Sequence, residues 1–266
     1  MSRYAGIRGR RVLVTGASSG LGFAMAKSLL SQGARVFVTG RDQGRVAQAL
    51  VELRSPAGEC AGALMDVRDE HSIRAGLAAM LETWGGIDVL INNAGIGMRT
   101  VSPKFLTDPK LFWEISAEGF RNLIDTNLTG YFLVAKQVVA HFLQAGGGRI
   151  INISMNHETM RRRGFIPYGP SRAATESLSH IMAQDLKESQ VTVNLLLPGG
   201  ATSTGMIPDE VPDSMHAQLL SADVMAEPVA FLCSDEAQGV NDQRIIAKQF
   251  ALWKEAWKAS EEGRAA

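Results

Sequence analysis

The sequence has little of what marks secreted, membrane-spanning or metal-binding proteins. Its only two cysteines, Cys60 and Cys233, stand far apart, so it has neither a disulfide framework nor a metal-ligand spacing. It contains no uninterrupted apolar run of about 18 residues, which argues against a membrane-spanning helix. The opening stretch MSRYAGIRGRR has no apolar core segment, so no secretory signal is expected. We therefore expect a cytoplasmic protein without a bound metal.

Net charge is also absent, because 27 Lys and Arg residues balance 27 Asp and Glu residues. A balanced chain offers no overall electrostatic attraction for nucleic acid or an anionic membrane, and we expect neither as a partner. Hydrophobic residues make up 45% and charged residues 20% of the chain, an ordinary globular mixture. At 266 residues the chain is within the size of one α/β domain.

Short apolar runs alternate with amphipathic segments along the chain. The runs are aliphatic and lack polar alternation, as in strands covered on both faces. We predict strands within 11–15, 35–39, 61–65, 87–91, 149–154 and 191–197, and helices over 21–30, 45–54, 72–84, 120–143 and 172–187. In the last helix, one apolar stripe is formed by Ala174, Leu178, Ile181, Met182 and Leu186. The alternation predicts an α/β fold: a single Rossmann-type, doubly wound parallel sheet flanked by helices.

No linker or low-complexity tract divides the chain, so we expect a single dinucleotide-binding domain over residues 1–266. Residues 199–221 are rich in Gly, Pro, Ser and Thr and have little periodicity, which favours a mobile lid over a site. The segment 249–266 is predicted to be a helical tail. Its aromatic residues Phe250, Trp253 and Trp257 would pack on the body or on another subunit, and we favour the body.

The first predicted strand runs into TGASSGLG, residues 15–22, where strand changes to helix. Glycine there permits a tight turn and lets backbone amides approach a pyrophosphate, while the helix N-terminus adds partial positive charge. The alternative is a glycine-rich turn without a ligand. The pattern predicts a dinucleotide site formed by Gly16, Ser18, Ser19, Gly20, Leu21 and Gly22.

The second predicted strand ends in TGRD, and this ending bears on the choice between NADP(H) and NAD(H). An acidic residue near this point binds the ribose 2′-hydroxyl of NAD, whereas an arginine accommodates the 2′-phosphate of NADP. Arg41 stands at the strand end and Asp42 follows it. We therefore expect Arg41 to favour NADP, with NAD possible; the alternative is a solvated arginine paired with Asp42.

Further motifs follow in a recognisable order: MDVRD (65–69), NNAG (92–95), DTNLTGYF (125–132), YGPSR (168–172) and LLLPGG (195–200). Together with the glycine loop they make the chain resemble the short-chain dehydrogenase/reductase family over nearly its whole length. The resemblance implies an NAD(P)-dependent oxidoreductase that moves hydride between the cofactor and a small-molecule carbonyl or alcohol. It also implies a homodimer or homotetramer formed through the two long helices.

The resemblance assigns roles to individual residues. It implies that Tyr168 is the catalytic acid or base and that Asn127 holds a water in the proton relay. Asp66 and Val67 would flank the adenine, and a cofactor wall would be made by Asn93, Ala94 and Gly95. Pro198 and Gly199 would lie beside the nicotinamide carboxamide, with Thr202 or Thr204 as its hydroxyl partner.

Two departures from the family pattern fall on the catalytic residues. The family's serine, thirteen residues before the tyrosine, is replaced here by Met155, and its lysine, four residues after, by Arg172. A fixed cation beside a phenol favours the phenolate, so Arg172 can supply the charge, but it stays protonated and cannot relay protons as a neutral amine. Methionine offers no donor to a substrate carbonyl, and we expect Asn156 or His157 to compensate.

Three functions are therefore open. The first is an oxidoreductase with modified catalytic residues. The second is a non-redox enzyme such as the halohydrin dehalogenases, which resemble this chain in the Tyr-x-x-x-Arg spacing; that branch, however, lacks the nucleotide glycines and keeps the serine. The third is a cofactor-binding protein without turnover. We favour the first, because Tyr168 and Asn127 are both present.

Overall fold

The computed structural model describes residues 3–208 and 213–265, which contain one parallel sheet of seven strands. The strand order β3-β2-β1-β4-β5-β6-β7 confirms the predicted doubly wound fold. The sequence does not predict β7, because three residues are too few to show a pattern. The strands are β1 (Arg11–Val14), β2 (Arg35–Gly40), β3 (Glu59–Leu64), β4 (Val89–Asn92), β5 (Gly148–Ile153), β6 (Val191–Leu197) and β7 (Arg244–Ile246).

Helices cover both faces of this sheet. They are α1 (Gly20–Ser31), α2 (Gln43–Glu52), α3 (Glu70–Trp84), α4 (Ala117–Ile124), α5 (Gly130–Ala145), α6 (His157–Met160), α7 (Tyr168–Asp185), α8 (Asp213–His216), α9 (Ala226–Cys233) and α10 (Phe250–Ala265). A π-helical turn, Asp125–Thr129, joins α4 to α5. The predicted single helix over 120–143 is therefore two α-helices with a wider turn between them.

Alternation along the strands divides the core into two apolar clusters. Val12 and Val14 of β1 point to the face covered by α1 and α9. Leu13 lies between them in sequence and points to the opposite face, which α3 and α5 cover. Successive strand residues point to opposite faces, so a strand buried on both sides has to be apolar throughout. This is why the strands read as continuous hydrophobic runs.

The strand order reverses direction between β1 and β4. In open α/β sheets a crevice forms at such a switch point, beyond the carboxyl ends of the strands. The glycine loop follows β1, and the NNAG motif straddles the end of β4. The topology therefore brings two of the sequence motifs to the same edge of the sheet.

The apolar stripe of α7 is not its buried face. Ile181, in the stripe, is 56% exposed. The buried residues of α7 are small or polar: Gly169, Ser171, Arg172, Thr175, Glu176, Ser179 and Ala183. Buried polar groups need hydrogen-bond partners, and α7 finds them at the end of β5 and in the π turn, for example where Ser179 accepts a hydrogen bond from Asn152.

The aromatic residues of α10 pack on the body of the protein. Phe250 is buried, and the rings of Phe250, Trp253 and Trp257 follow one another at about 6 Å, with Phe231 of α9 beneath them. Lys254 lies over the Phe231 ring at 4.9 Å. In the described part of the chain, no helix has the length and apolar character that a membrane crossing requires.

Candidate active site

The glycine loop between β1 and α1 is tight enough to require its glycines. Gly16 and Gly20 have φ values of 64° and 59°, which L side chains rarely adopt. A Cβ atom at Gly16 would lie 2.6 Å from Cα of Ala94, and one at Gly22 would lie 2.6 Å from the carbonyl oxygen of Gly16. A Cβ at Gly20 would meet only the methyl group of Thr204, at 3.4 Å. Ser19, the N-cap residue of α1, makes no capping hydrogen bond with its side chain.

Asn93 holds this loop from the neighbouring strand. Its Nδ2 donates to the carbonyl oxygens of Thr15 and Gly16 at 2.9 and 3.0 Å, and the Thr15 hydroxyl accepts from the backbone amides of Asn93 and Ala94. The two motifs after β1 and β4 are thus one rigid unit. The Asn93 amide is committed to the loop, so its contribution to the predicted cofactor wall is to shape the cradle.

Two arginines and two serines gather where β2 ends. Arg41 is exposed there, and Arg45, in the first turn of α2, donates to Ser19 Oγ at 2.9 Å. Asp42 caps α2 by accepting from the Arg45 amide at 2.8 Å, so its carboxylate is occupied. A Cβ at Gly40 would lie 3.3 Å from Ser18 Oγ. The predicted Arg41 therefore has a second cation, Arg45, near the same serines. The position of Arg45 in the first helical turn after the Asp42 cap is a sequence signal that could have indicated this second cation.

The next motif, after β3, is held by an arginine. Arg68 chelates Asp66 through Nε and Nη2 and also donates to Asn122. Hydrogen bonds from Arg68 are the largest cause of the lowered pKa of Asp66, and the charge of Arg41 adds to them. Val67 is buried against Gly130. The Asp66 carboxylate is thus engaged by Arg68, and Val67 is engaged by the start of α5.

Asn127 lies in the π turn and is fully buried. Its Oδ1 accepts from the amide of Ile96 and its Nδ2 donates to the carbonyl oxygen of Ile96, both at 2.9 Å. The carbonyl oxygen of Asn127 accepts from the Thr175 hydroxyl at 3.1 Å. A Cβ at Gly95 would come within 3.2 Å of Asn127 Oδ1. Asn127 therefore fixes the chain that follows the NNAG motif.

Tyr168 and Arg172 lie one turn apart on α7, as their spacing predicts. The Arg172 guanidinium lies 5.5 Å from the centre of the Tyr168 ring. Its Nη1 donates to the Tyr131 hydroxyl at 2.8 Å and to the carbonyl oxygen of Ile153 at 2.9 Å. A Cβ at Gly95 would lie 2.6 Å from its Nη2, so the cation faces the end of the NNAG motif. Sequence reasoning missed Tyr131, whose only signal is its place one turn after Asn127.

Burial alone would lower the pKa of Arg172, but the neighbouring Tyr131 and Tyr168 phenols raise it above its ordinary value. The guanidinium is therefore a permanent cation. Burial raises the pKa of Tyr131, and Arg172 offsets this only in part. The buried phenol thus stays neutral.

Met155 lies just beyond the end of β5 and packs into a small apolar cluster. Its neighbours there include Phe105, Phe165 and Tyr168, with Met98 beneath. Phe105 and Phe165 meet edge to face at 5.5 Å. The segment between β4 and α4 therefore forms a cap over the chain that leads into α7.

The aromatic residues of this cap and of the chain it covers differ in burial. Phe165 is buried in the apolar cluster. Phe112 and Trp113 are 69% and 68% exposed and pack mainly on each other.

A buried carboxylate lies behind Met155. Glu176 accepts from Ser154 Oγ at 2.6 Å and from Arg244 Nε at 2.9 Å, and its Oε2 lies 2.8 Å from Nε2 of His157. Arg244 also donates to the carbonyl oxygen of Met155. Burial would raise the pKa of Glu176, but its three hydrogen-bond partners lower it below the ordinary value. Sequence reasoning missed Glu176 and Arg244, although Glu176 is one turn after Arg172.

The loop after β6 crosses the glycine loop. Pro198 is tied by the amide of Lys248, and Gly199 has φ 93°. Thr202 bridges to Leu220, and its hydroxyl donates to its own loop at Gly200. Thr204 is the threonine that lies against Gly20. Residues 209–212 of the predicted lid are outside the described residues.

Comparisons with known proteins agree with this arrangement. The model of the short chain dehydrogenase family matches residues 10–214. The 3-oxoacyl-(acyl-carrier-protein) reductase FabG of Vibrio cholerae is 31% identical over 246 residues, which cover 90% of this chain and 96% of the relative.

The solved structures that share the fold include two reductases. An actinorhodin polyketide ketoreductase variant with NADPH gives a TM-score of 0.79 at 31% identity, covering 91% of this chain and 97% of the other. The 3-ketoacyl-(acyl-carrier-protein) reductase of Brucella melitensis, complexed with NADH, gives 0.79 at 26% identity, also covering 91% and 97%. The family match and the long alignments show that this chain belongs to the short-chain dehydrogenase family, an NAD(P)-dependent group of oxidoreductases.

Proposed function

We propose that the chain is an NADPH-dependent reductase of a small-molecule carbonyl, with Tyr168 as the acid. The observation that carries the proposal is the Arg172 guanidinium 5.5 Å from the Tyr168 ring, beside Gly95 and the dinucleotide cradle. This places a phenol, a permanent cation and a nucleotide-binding edge together. Arg172 would thus offer a fixed positive charge to negative charge that develops on the Tyr168 oxygen.

The residues of the cradle fit a dinucleotide. The open turn at Gly20 and the start of α1 can receive the pyrophosphate. The buried Nε of Arg172 has no hydrogen-bond partner in the described part of the chain, and a buried donor of this kind is costly unless a ligand satisfies it. Gly16, Asn93 and Gly95 would shape the wall, and Thr204 would reach the ligand from above.

The protein's own part in the reaction is proton transfer and positioning. A nicotinamide bound in the cradle would supply the hydride. Tyr168 would donate its phenolic proton to the carbonyl oxygen as negative charge develops there, and Arg172 would stabilise the phenolate that remains. Reversal of these steps would oxidise an alcohol.

Asn156 is our proposed substitute for the missing serine. The Ser154 hydroxyl and His157 Nε2 are both engaged by Glu176. Asn156 stands at the N-cap of α6 without a capping side-chain hydrogen bond, so its amide can turn toward a substrate oxygen. An amide donor can stabilise a developing oxyanion as a hydroxyl does.

We favour NADP(H) over NAD(H) because Arg41 and Arg45 form a basic site beside Ser18 and Ser19. Asp42, the nearest acid, is occupied by the cap of α2. The solved relative with NADPH supports this choice, whereas the relative with NADH shows that the family uses both.

The proposal is tested by following NADPH absorbance over a panel of aliphatic, aromatic and β-keto thioester carbonyls. We expect turnover of at least one, and a loss of about 10²–10⁴-fold in kcat for Tyr168→Phe. NADPH binding by fluorescence should persist in that variant. Binding without turnover on any substrate would instead favour a cofactor-binding protein, a reading that the apolar Met155 would then explain.

A further inference from the structure

The Arg172 guanidinium is held by a second tyrosine, Tyr131. We propose that Tyr131 is a positioning residue that holds the Arg172 guanidinium against Tyr168, so that a buried phenol and an arginine together do the work of a lysine. This inference rests on the proposed function for its catalytic meaning, but the clamp formed by Tyr131, Arg172 and the Ile153 carbonyl can be tested without turnover.

The clamp is a closed hydrogen-bond triangle. Arg172 Nη1 donates to the Tyr131 hydroxyl at 2.8 Å and to the carbonyl oxygen of Ile153 at 2.9 Å, and the Tyr131 hydroxyl donates to the same carbonyl at 3.4 Å. The guanidinium also lies 5.2 Å from the Tyr131 ring. Tyr131 is 1% and Arg172 2% exposed, so water does not compete for these contacts.

The guanidinium lies close to two phenol rings. Its distances to the ring centres of Tyr131 and Tyr168 are 5.2 and 5.5 Å, within the range in which a cation is attracted to an aromatic face. Tyr131 approaches from α5 and Tyr168 lies on the same helix as the arginine. An arginine side chain has several rotatable bonds, and ordering it costs entropy. The triangle fixes the end that carries the charge.

The surroundings of the clamp do not offer a proton path through residue 172. Arg172 is a permanent cation, so it neither accepts nor gives a proton. Asn127, which the family resemblance assigns to a relay water, has its side chain bound to Ile96 and its carbonyl oxygen bound by the Thr175 hydroxyl at 3.1 Å. The site thus provides fixed charge rather than a titrating amine.

A double-mutant cycle of Tyr131→Phe and Arg172→Lys tests this coupling. Tyr131→Phe removes only the hydroxyl, and we expect a roughly tenfold lower kcat with a smaller change in KM, because the loss falls on transition-state stabilisation. If Tyr131 acts through Arg172, the double variant loses no more than Arg172→Lys alone. Independent, multiplicative losses would overturn the clamp.

The chain allows a readout that needs no substrate, since it has only three tyrosines. In a Tyr4→Phe background, the ultraviolet phenolate signal comes from Tyr131 and Tyr168 alone. Adding Tyr131→Phe leaves Tyr168 as the last phenol. Its phenolate signal should begin at higher pH than the earliest phenolate signal of the Tyr4→Phe parent, because Arg172 is held less closely against Tyr168. An unchanged onset would overturn the inference.

Tyr4→Phe is also the matched control. Tyr4 is a buried tyrosine whose hydroxyl donates to Glu227, far from the site along the chain, and its loss should leave kcat and the kinetic pH profile unchanged. Thermal unfolding of each variant identifies any that do not fold. If the unmodified chain reduces no carbonyl while the phenolate onset still moves, the proposed function fails and the clamp stands.

Discussion

At the scale of single residues, the two positions that the family resemblance marks as departures each have a partner elsewhere in the fold. The Arg172 guanidinium donates to the hydroxyl of Tyr131. The carbonyl oxygen of Met155 accepts from Arg244. A comparison of single positions with a family pattern does not reveal such partners.

Removing Arg45 should separate the two cofactors. We expect Arg45→Ala to raise the KM for NADPH by about tenfold or more, since a charge-assisted hydrogen bond contributes about 1.5–3 kcal/mol, and to change the KM for NADH less than twofold. Steady-state kinetics with each cofactor measures the difference.

Arg54→Ala is the control for Arg45, because Arg54 is an exposed arginine just after the other end of α2. It should affect neither cofactor. Equal losses with NADPH and NADH in Arg45→Ala would place that arginine outside the 2′-phosphate site.

The residues predicted from the sequence are those that act within one motif. The pair Tyr168 and Arg172 follows from helical spacing alone, and the glycine loop follows from its place between strand and helix. Tyr131 and Glu176 could not be predicted in the same way. Tyr131 meets Arg172 across 41 positions and Glu176 meets Arg244 across 68, and such contacts exist only once the sheet has formed.

At the scale of elements, the end of β5 is held by a charged cluster as well as by apolar packing. Glu176 of α7 accepts from Ser154 and Arg244 and lies beside His157, and so joins β5, α6, α7 and β7. This cluster is the rigid support for the segment that carries Met155 and Asn156. The sequence predicts β5 and α7 but neither α6 nor β7, and it does not predict the junction, since the apolar stripe of α7 suggests the wrong face.

Glu176→Gln should destabilise the protein in a pH-dependent manner. The folded-state pKa of Glu176 is lowered, so its contribution is complete above the unfolded value of about 4.3 and is lost as pH falls through the folded value. We expect a free energy of unfolding lower by about 1.5–3 kcal/mol at neutral pH. Urea unfolding over a series of pH values should show this difference shrink below about pH 4.

The control for this experiment is Glu158→Gln, which removes an exposed carboxylate from α6. It should change the free energy of unfolding by less than about 0.5 kcal/mol. A deficit in Glu176→Gln that stays constant from neutral to acid pH would show that packing, rather than charge, accounts for the loss.

At the scale of the whole molecule, exposed apolar side chains are found on α5 and α7. Phe132 and Leu143 of α5 are 44% and 51% exposed, and Ile181 of α7 is 56% exposed. The family resemblance implies that these helices form the contact between subunits. Such a contact would account for Ile181, the residue of the α7 stripe that the single chain leaves in solvent.

Ile181→Asp should therefore weaken self-association. A charge placed in an apolar interface is left without a partner, and we expect light scattering to show a smaller species than for the unmodified chain at the same concentration. Val51→Asp is the control, because Val51 is 58% exposed on α2. A monomeric parent, or equal effects of both variants, would contradict the expected interface.

The π turn at Asp125–Thr129 has a consequence for how this chain tolerates insertions and deletions. A π turn holds one residue more than the α-helical turn it replaces. Its greater width absorbs that residue, so α4 and α5 keep nearly the same rotation about the helix axis. Deleting a single residue there would convert the turn to regular α-helix and leave Tyr131 on its buried face. The same deletion inside α5 has no wide turn to absorb it and would rotate everything after it by roughly 100°. The π turn is thus a place where the chain can lose a residue without turning the downstream half of the site.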